Sequence, residues 1–163
     1  MTGEKIDSNS YLIGVVSDTH GRLPEDVLTA FSGVDLIIHA GDIDTPAILE
    51  ALGKIAPIVA VRGNMDRGKW ADTLAMTEVV EIGKTRMYVL HDLSTLDWEP
   101  DTAGFSAVIS GHTHRPALET KNGVLFLNPG SAVMPRFNTP ACVALIRIHN
   151  NSLTPQFIEL SQY

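Results

Sequence analysis

The chain has 163 residues, 44% of them hydrophobic, and a formal net charge of -7 from 12 Lys and Arg against 19 Asp and Glu. That length suits one domain with a sizeable core, and the acidic balance excludes the wrapping of long nucleic acid, which needs clustered cations. No apolar run approaches the roughly 20 residues that span a bilayer, and residues 1–10 are polar rather than signal-like, so a cytoplasmic chain without membrane contact is expected.

Residues 11–17 form a short aliphatic and β-branched run that predicts a buried strand ending at Asp18. Residues 24–32 open with Pro, Glu and Asp and place Val27, Leu28 and Phe31 on one helical face. A second strand is expected over 35–40, a helix over 45–55 with Thr45 as N-cap and Pro46 in first position, and a third strand over 57–61. After Gly63 the texture changes to short strands at 78–82, 86–90, 107–110, 116–120, 124–127, 142–149 and 156–160. The Asn122-Gly123 step supplies the positive φ of a hairpin. A parallel βαβαβ opening and a hairpin-rich second half predict two sheets packed face to face with helices outside. The expected organisation is a disordered tail over 1–10 and one domain over 11–163.

Four predicted strands end in one kind of chemistry: Asp18-Thr19-His20, Gly41-Asp42, Gly63-Asn64-Met65-Asp66 and Gly111-His112-Thr113-His114. His91, closing the run Tyr88-Val89-Leu90, adds a fifth. Ligands of open α/β sheets bind beyond the carboxyl ends of strands, so residues far apart in the chain can converge there. Imidazole mixed with carboxylate suits divalent manganese, iron, cobalt or zinc better than calcium or magnesium. Two such ions with two aspartates keep a positive surplus that binds a phosphoryl group and acidifies water.

In this order, Asp-x-His, Gly-Asp, Gly-Asn-x-Asp, an isolated His and Gly-His-Thr-His resemble the calcineurin-like metallophosphoesterase superfamily, and within it the small YfcE-like phosphodiesterases. The resemblance runs from about Ile13 to Arg136. It implies an α/β/β/α two-sheet sandwich and two divalent ions per chain, manganese foremost, with iron, zinc, nickel or cobalt as alternatives. It also implies that Asp18, His20 and His114 hold one ion, that Asn64, His91 and His112 hold the other, and that Asp42 bridges them. The implied reaction is in-line attack of a metal-bridging hydroxide on a small phosphate ester, with Asn64, His112 and Asp42 as the catalytic residues. The alternatives are a phosphomonoesterase or nucleotidase, and a non-catalytic scaffold of the kind the retromer subunit Vps29 represents.

Two positions depart from the pattern. Many relatives carry a proton-donating His after Gly-Asn, where this chain has Met65, and most carry Gly after the isolated His, where it has Asp92. Asp92 is expected either to crowd the site or to add a carboxylate near one ion. Asp66, Ser17 and backbone carbonyls are the expected partners of the metal-bound imidazoles. Arg22 and Arg136 are candidates for binding substrate phosphate through their planar forks. His39, inside an apolar run, reads as a core or supporting histidine, Cys142 as a small buried hydrophobe, and Asn128-Pro129-Gly130-Ser131 as a structural turn. Trp70 and Trp98 fit either an interface or a substrate base, and edge strands of a two-sheet fold offer a surface for a homo-oligomer.

Overall fold

The computed structural model describes residues 10–161. The first sheet takes β1 (Ser10–Val16), β2 (Leu36–His39), β3 (Ile58–Ala60), β9 (Cys142–His149) and β10 (Ser152–Glu159), in the order β10-β9-β1-β2-β3. The second takes β4 (Thr77–Ile82), β5 (Thr85–Leu90), β6 (Ala107–Ile109), β7 (Pro116–Lys121) and β8 (Val124–Pro129), in the order β4-β5-β6-β8-β7. Three short helices, α1 (Glu25–Ala30), α2 (Pro46–Gly53) and α3 (Lys69–Asp72), complete the described architecture with one 3-10 turn at Leu93–Thr95. The expected tail lies outside the described residues except for Ser10, which already pairs with His149.

Alternation along the strands builds the layers. Ile13 and Val15 of β1, with Leu36 and Ile38 of β2, turn toward Met87, Val89, Ala107 and Ile109 of the second sheet. Val16 and Ile37 turn the other way, onto Val27 and Phe31 of α1 and its loop and Ile48 and Leu52 of α2. The outer face of the second sheet buries only Leu90, Val108 and Val124. Its cover is the 93–106 segment, where Trp98 and Phe105 meet the Tyr88 ring at 4.8 and 5.5 Å between centroids. The two-sheet sandwich is therefore as expected, with a thin fourth layer of one turn and an aromatic loop.

The halves of the sequence do not map onto the two sheets. β9 and β10 return antiparallel to the first sheet, while β5, β6 and β8 run parallel in the centre of the second. The cause is connection length: 93–106 crosses over between β5 and β6, and the second crossover carries β7. The expected hairpin forms, with Lys121 opposite Val124 and positive φ at Asn122 and Gly123. Thr45 occupies the cap position of α2 but its side chain makes no cap bond, so the fixed φ of Pro46 sets the start. β10 begins earlier than expected because Pro155 is tolerated inside it, on the sheet edge. α3 is a single turn, too short for a periodic signal. Among the described residues, no helix is long and apolar enough to cross a membrane.

Gly14 faces the helix layer, and a Cβ there would meet the Phe31 ring at 2.8 Å, whereas one at Gly53 meets nothing within 4 Å. Gly14→Ala is expected to cost about 1–3 kcal/mol by overpacking, and Gly53→Ala to gain about 0.4–1 kcal/mol through the unfolded chain. Urea unfolding of the two variants checks the pair; equal midpoints would contradict this packing of α1 on β1.

Candidate metal centre

Five strands that run the same way end on one rim. β1 leads into Asp18, β2 into Asp42, β3 into Asn64, β5 into His91 and β6 into His112. The turns beyond them are tied to one another: Asp18 N–H donates to Gly41 O at 3.0 Å, His20 N–H to Asp42 O at 3.0 Å and Gly111 N–H to His91 O at 2.9 Å. Asp18, His20, Asp42, His112 and His114 all have φ between 45° and 73°, the left-handed region that costs non-glycine residues energy. The surrounding bonds hold that strain, and it points the side chains inward. Gly63 and Gly111 are required by close approach, since a Cβ would overlap the Asp42 carboxylate at the first and the Ser17 hydroxyl at the second.

The side chains fall into two donor groups with one member in common. Asp18, His20, Asp42 and His114 form the first and Asp42, His91 and His112 the second, each with ligand atoms within 4.8 Å of one another. Asn64 joins the second through Oδ1, which lies 3.1 Å from His112 Nδ1. Asp42 Oδ2 is 3.2 Å from His91 Nε2 and 3.9 Å from His20 Nε2, placing one oxygen between the two groups. All seven residues singled out as ligands in the sequence thus converge.

The donor atoms suit a cation. His114 Nδ1–H donates to Met134 O at 2.7 Å and His20 Nδ1–H to Asp44 Oδ2 at 3.3 Å, which turns the two Nε2 atoms toward one another at 3.1 Å. Asp18 Oδ1 is solvent-excluded and has no hydrogen-bond partner, while its Oδ2 accepts from Ser17 Oγ at 2.6 Å and His112 N–H at 3.0 Å. Two imidazole nitrogens facing one another beside an unsatisfied buried carboxylate oxygen fit a bound metal ion.

Electrostatics agree. Burial pushes the Asp18 carboxyl above its ordinary range, against the Ser17 hydroxyl and the nearby His91 and His114. Asp42 is held below that range although burial works the other way, because His91 and the Met65 N–H bond its carboxylate. His91 is correspondingly raised, with the Asp42 hydrogen bond outweighing its burial together with Asp18 and the Ala40 carbonyl. A proton on His91 therefore supplies, without metal, part of the positive charge that the carboxylates call for.

The supporting shell differs from expectation. Asp66 touches no imidazole: its Oδ1 accepts from Ile43 and Asp44 N–H, both at 2.8 Å, and its Oδ2 from Asp42 and Gly63 N–H at 3.0 and 2.8 Å. It shapes the loops that carry Asp42 and Asn64. Ser17 braces a carboxylate rather than a histidine. Carbonyls of Ala40 and Met134 do orient His91 and His114. Asp92 is in neither donor group but lies beside the second: it caps the 3-10 turn through Ser94, and its Oδ2 is 3.8 Å from His112 Nε2.

His39 is a brace. Its Nδ1 accepts from Gly41 N–H at 3.1 Å, its Nε2 lies 3.0 Å from Thr19 Oγ1, and burial holds its pKa down to about 3, so it is neutral. The turn at Asn128 and Ser131 proves to position the site: Asn128 Nδ2 donates to Gly111 O at 2.9 Å, and Ser131 Oγ to Asp18 O at 2.7 Å. Asp44 was not singled out in the sequence, because its role depends on a positive φ that aims it at His20. Arg22 and Arg136 are both exposed; Arg22 lines a separate cleft with Pro24, Val133 and Pro135, and the Arg136 N–H donates to His114 O. Trp70 and Trp98 pack on their own chain, and Cys142 is buried with its thiol pushed up to about 11.

Residues 11–151 match the calcineurin-like phosphoesterase superfamily domain, and the chain belongs to that superfamily. A probable metallophosphoesterase of Methanothermobacter thermautotrophicus is 38% identical over 159 residues, covering 90% of this chain and 91% of that protein. A phosphodiesterase of Methanocaldococcus jannaschii is 29% identical over 136 residues, covering 72% and 82%. Vps29 of Cryptosporidium parvum shares the fold at a TM-score of 0.73 and 20% identity, covering 94% of this chain and 99% of that one.

Asp66→Asn would turn an amide N–H₂ toward backbone donors. Hydrogen bonds to a charged acceptor contribute roughly 1.5–3 kcal/mol each, so a loss of about 2–4 kcal/mol in metal-free protein is expected, read by denaturant unfolding. Wild-type stability in the variant would contradict the bracing role.

Proposed function

We propose that the chain is a metal-dependent hydrolase of small phosphodiesters, with two divalent ions per chain, manganese foremost among Mn, Fe, Zn, Ni and Co. The observation that carries this reading is the single Asp42 oxygen set between two donor groups that otherwise share no member. In the reading, Asp18, His20 and His114 hold one ion, Asn64, His91 and His112 the other, and Asp42 both. Two such ions, when bound, neutralise phosphoryl oxygens and make a water acidic enough to attack phosphorus.

The chain's own residues do the rest. Carbonyls of Ala40 and Met134 fix the tautomers of His91 and His114, leaving Nε2 of each to bind. Asn64 and His112 meet at the open side of the second group and face the incoming ester. Met65 follows with its N–H committed to Asp42 Oδ1 at 2.8 Å and its side chain exposed. A thioether has no proton to give a departing oxygen, which favours esters with stable leaving groups, and a relative named as a phosphodiesterase supports the diester class. The scaffold reading needs no complete donor set, and this chain keeps one.

Reloaded with manganese, the protein is expected to bind two ions per chain, Asp42→Ala to lose most of that metal, and His39→Gln to keep it. Metal analysis of folded protein decides; full stoichiometry in Asp42→Ala would remove the bridging assignment. Bis(p-nitrophenyl) phosphate should be turned over by the loaded protein and not after chelation, and a fully loaded, folded protein without turnover would favour the scaffold.

The absence of an acid after Asn64 sets the leaving-group dependence. General acid catalysis typically contributes roughly 10²- to 10⁴-fold, so alkyl esters should lag nitrophenyl esters by that order beyond their intrinsic difference. Met65→His should raise activity on alkyl esters more than on nitrophenyl esters at matched metal content. Identical leaving-group slopes in the two proteins would refute the role given to Met65.

A further inference from the structure

A cleft of about 230 Å³ opens beside the second donor group, with Asn64, His91 and His112 along one wall and Met76, Leu90 and Thr95 along the other. Most of its lining is apolar. The cation on its wall, Arg62, is already engaged, with Nη1 3.1 Å from Asp72 Oδ1 and Nε donating to Asp66 O at 3.1 Å. The carboxylate on its wall, Asp92, adds negative charge. Exposed methionines surround the same rim: Met76 at 64% lines the cleft, Met65 at 46% follows Asn64, and Met134 at 50% holds His114 through its carbonyl. Large apolar side chains left in water beside a charged centre have a use if a substrate covers them, and thioethers adapt to aromatic rings.

We infer that this cleft is the subsite for one ester arm of the substrate, and that it takes an uncharged aromatic arm while rejecting one that carries its own phosphate. The inference rests on the phosphodiester reading for its orientation. A phosphate-bearing arm would meet the Asp92 carboxylate with no uncommitted cation on the wall, whereas a flat ring gains contact with Met76 and Leu90.

The test uses phosphonates, whose P–C bond this hydrolysis does not cleave, and zinc-loaded protein, which is diamagnetic. Calorimetry should show phenylphosphonate binding about tenfold more tightly than methylphosphonate, the size expected from burying much of a ring. A second phosphonate at the para position should abolish that preference. Phenylphosphonate should also move the Met76 methyl resonance through its ring current. Thr77→Trp, which fills the cleft, should reduce the preference to under about threefold, and Leu118→Ala, on the opposite edge strand, should preserve it. Equal affinity for the two phosphonates, or binding of neither, overturns the subsite. A phenyl preference without turnover of bis(p-nitrophenyl) phosphate would keep the subsite and remove the hydrolase reading; turnover with no preference would do the reverse.

Discussion

Two carboxylates, Asp18 and Asp42, are sunk at the shared rim of two sheets, and most of the structure around them answers the cost of burying that charge. Among the described residues neither has a Lys or Arg partner. Their compensation comes from backbone N–H groups, one serine and the imidazoles of His20, His91 and His114, and the oxygen left without a hydrogen bond, Asp18 Oδ1, lies 3.3 Å from His114 Nε2 and 3.9 Å from His20 Nε2. A buried carboxylate arranged this way is poorly satisfied by protein alone and suits a bound cation.

That demand propagates outward through hydrogen bonds. Asp66 gathers four backbone N–H groups from two loops, so the strained turn at Asp42 and the close approach of Gly63 are held by one side chain. Ser131 and Asn128 do the same for the turns at Asp18 and Gly111. His39, kept neutral by burial, ties the Gly41 turn to Thr19. Because these groups act on shared turns, their effects on metal affinity are coupled and will not add.

The rest of the chain serves as a platform. Helices seal the outer face of the first sheet, and an aromatic loop seals the second with Trp98 and Phe105 on Tyr88. The opposite arrangement holds at the rim, where methionines stay exposed beside the donors.

Strand pattern, the order of the polar strand ends and the glycines beside them were legible in the sequence, because each rests on local periodicity or on residue chemistry. The seven donors could be named because those strand ends, taken in order, resemble the superfamily's motifs; residue chemistry alone left each open between a ligand and a loop residue. Tertiary structure alone decided which sheet each strand joined, since β9 and β10 are placed by long-range pairing that no local signal encodes. It also decided the supporting roles. Asp66 looked like a histidine partner and braces backbone instead; Asp92, expected near one ion, lies beside His112 and also caps a turn; Asn128 and Ser131 looked like a turn and tie down the backbone of Gly111 and Asp18. Each of those roles turns on φ angles and on contacts between residues up to 113 positions apart, and direction in space is what a sequence does not carry.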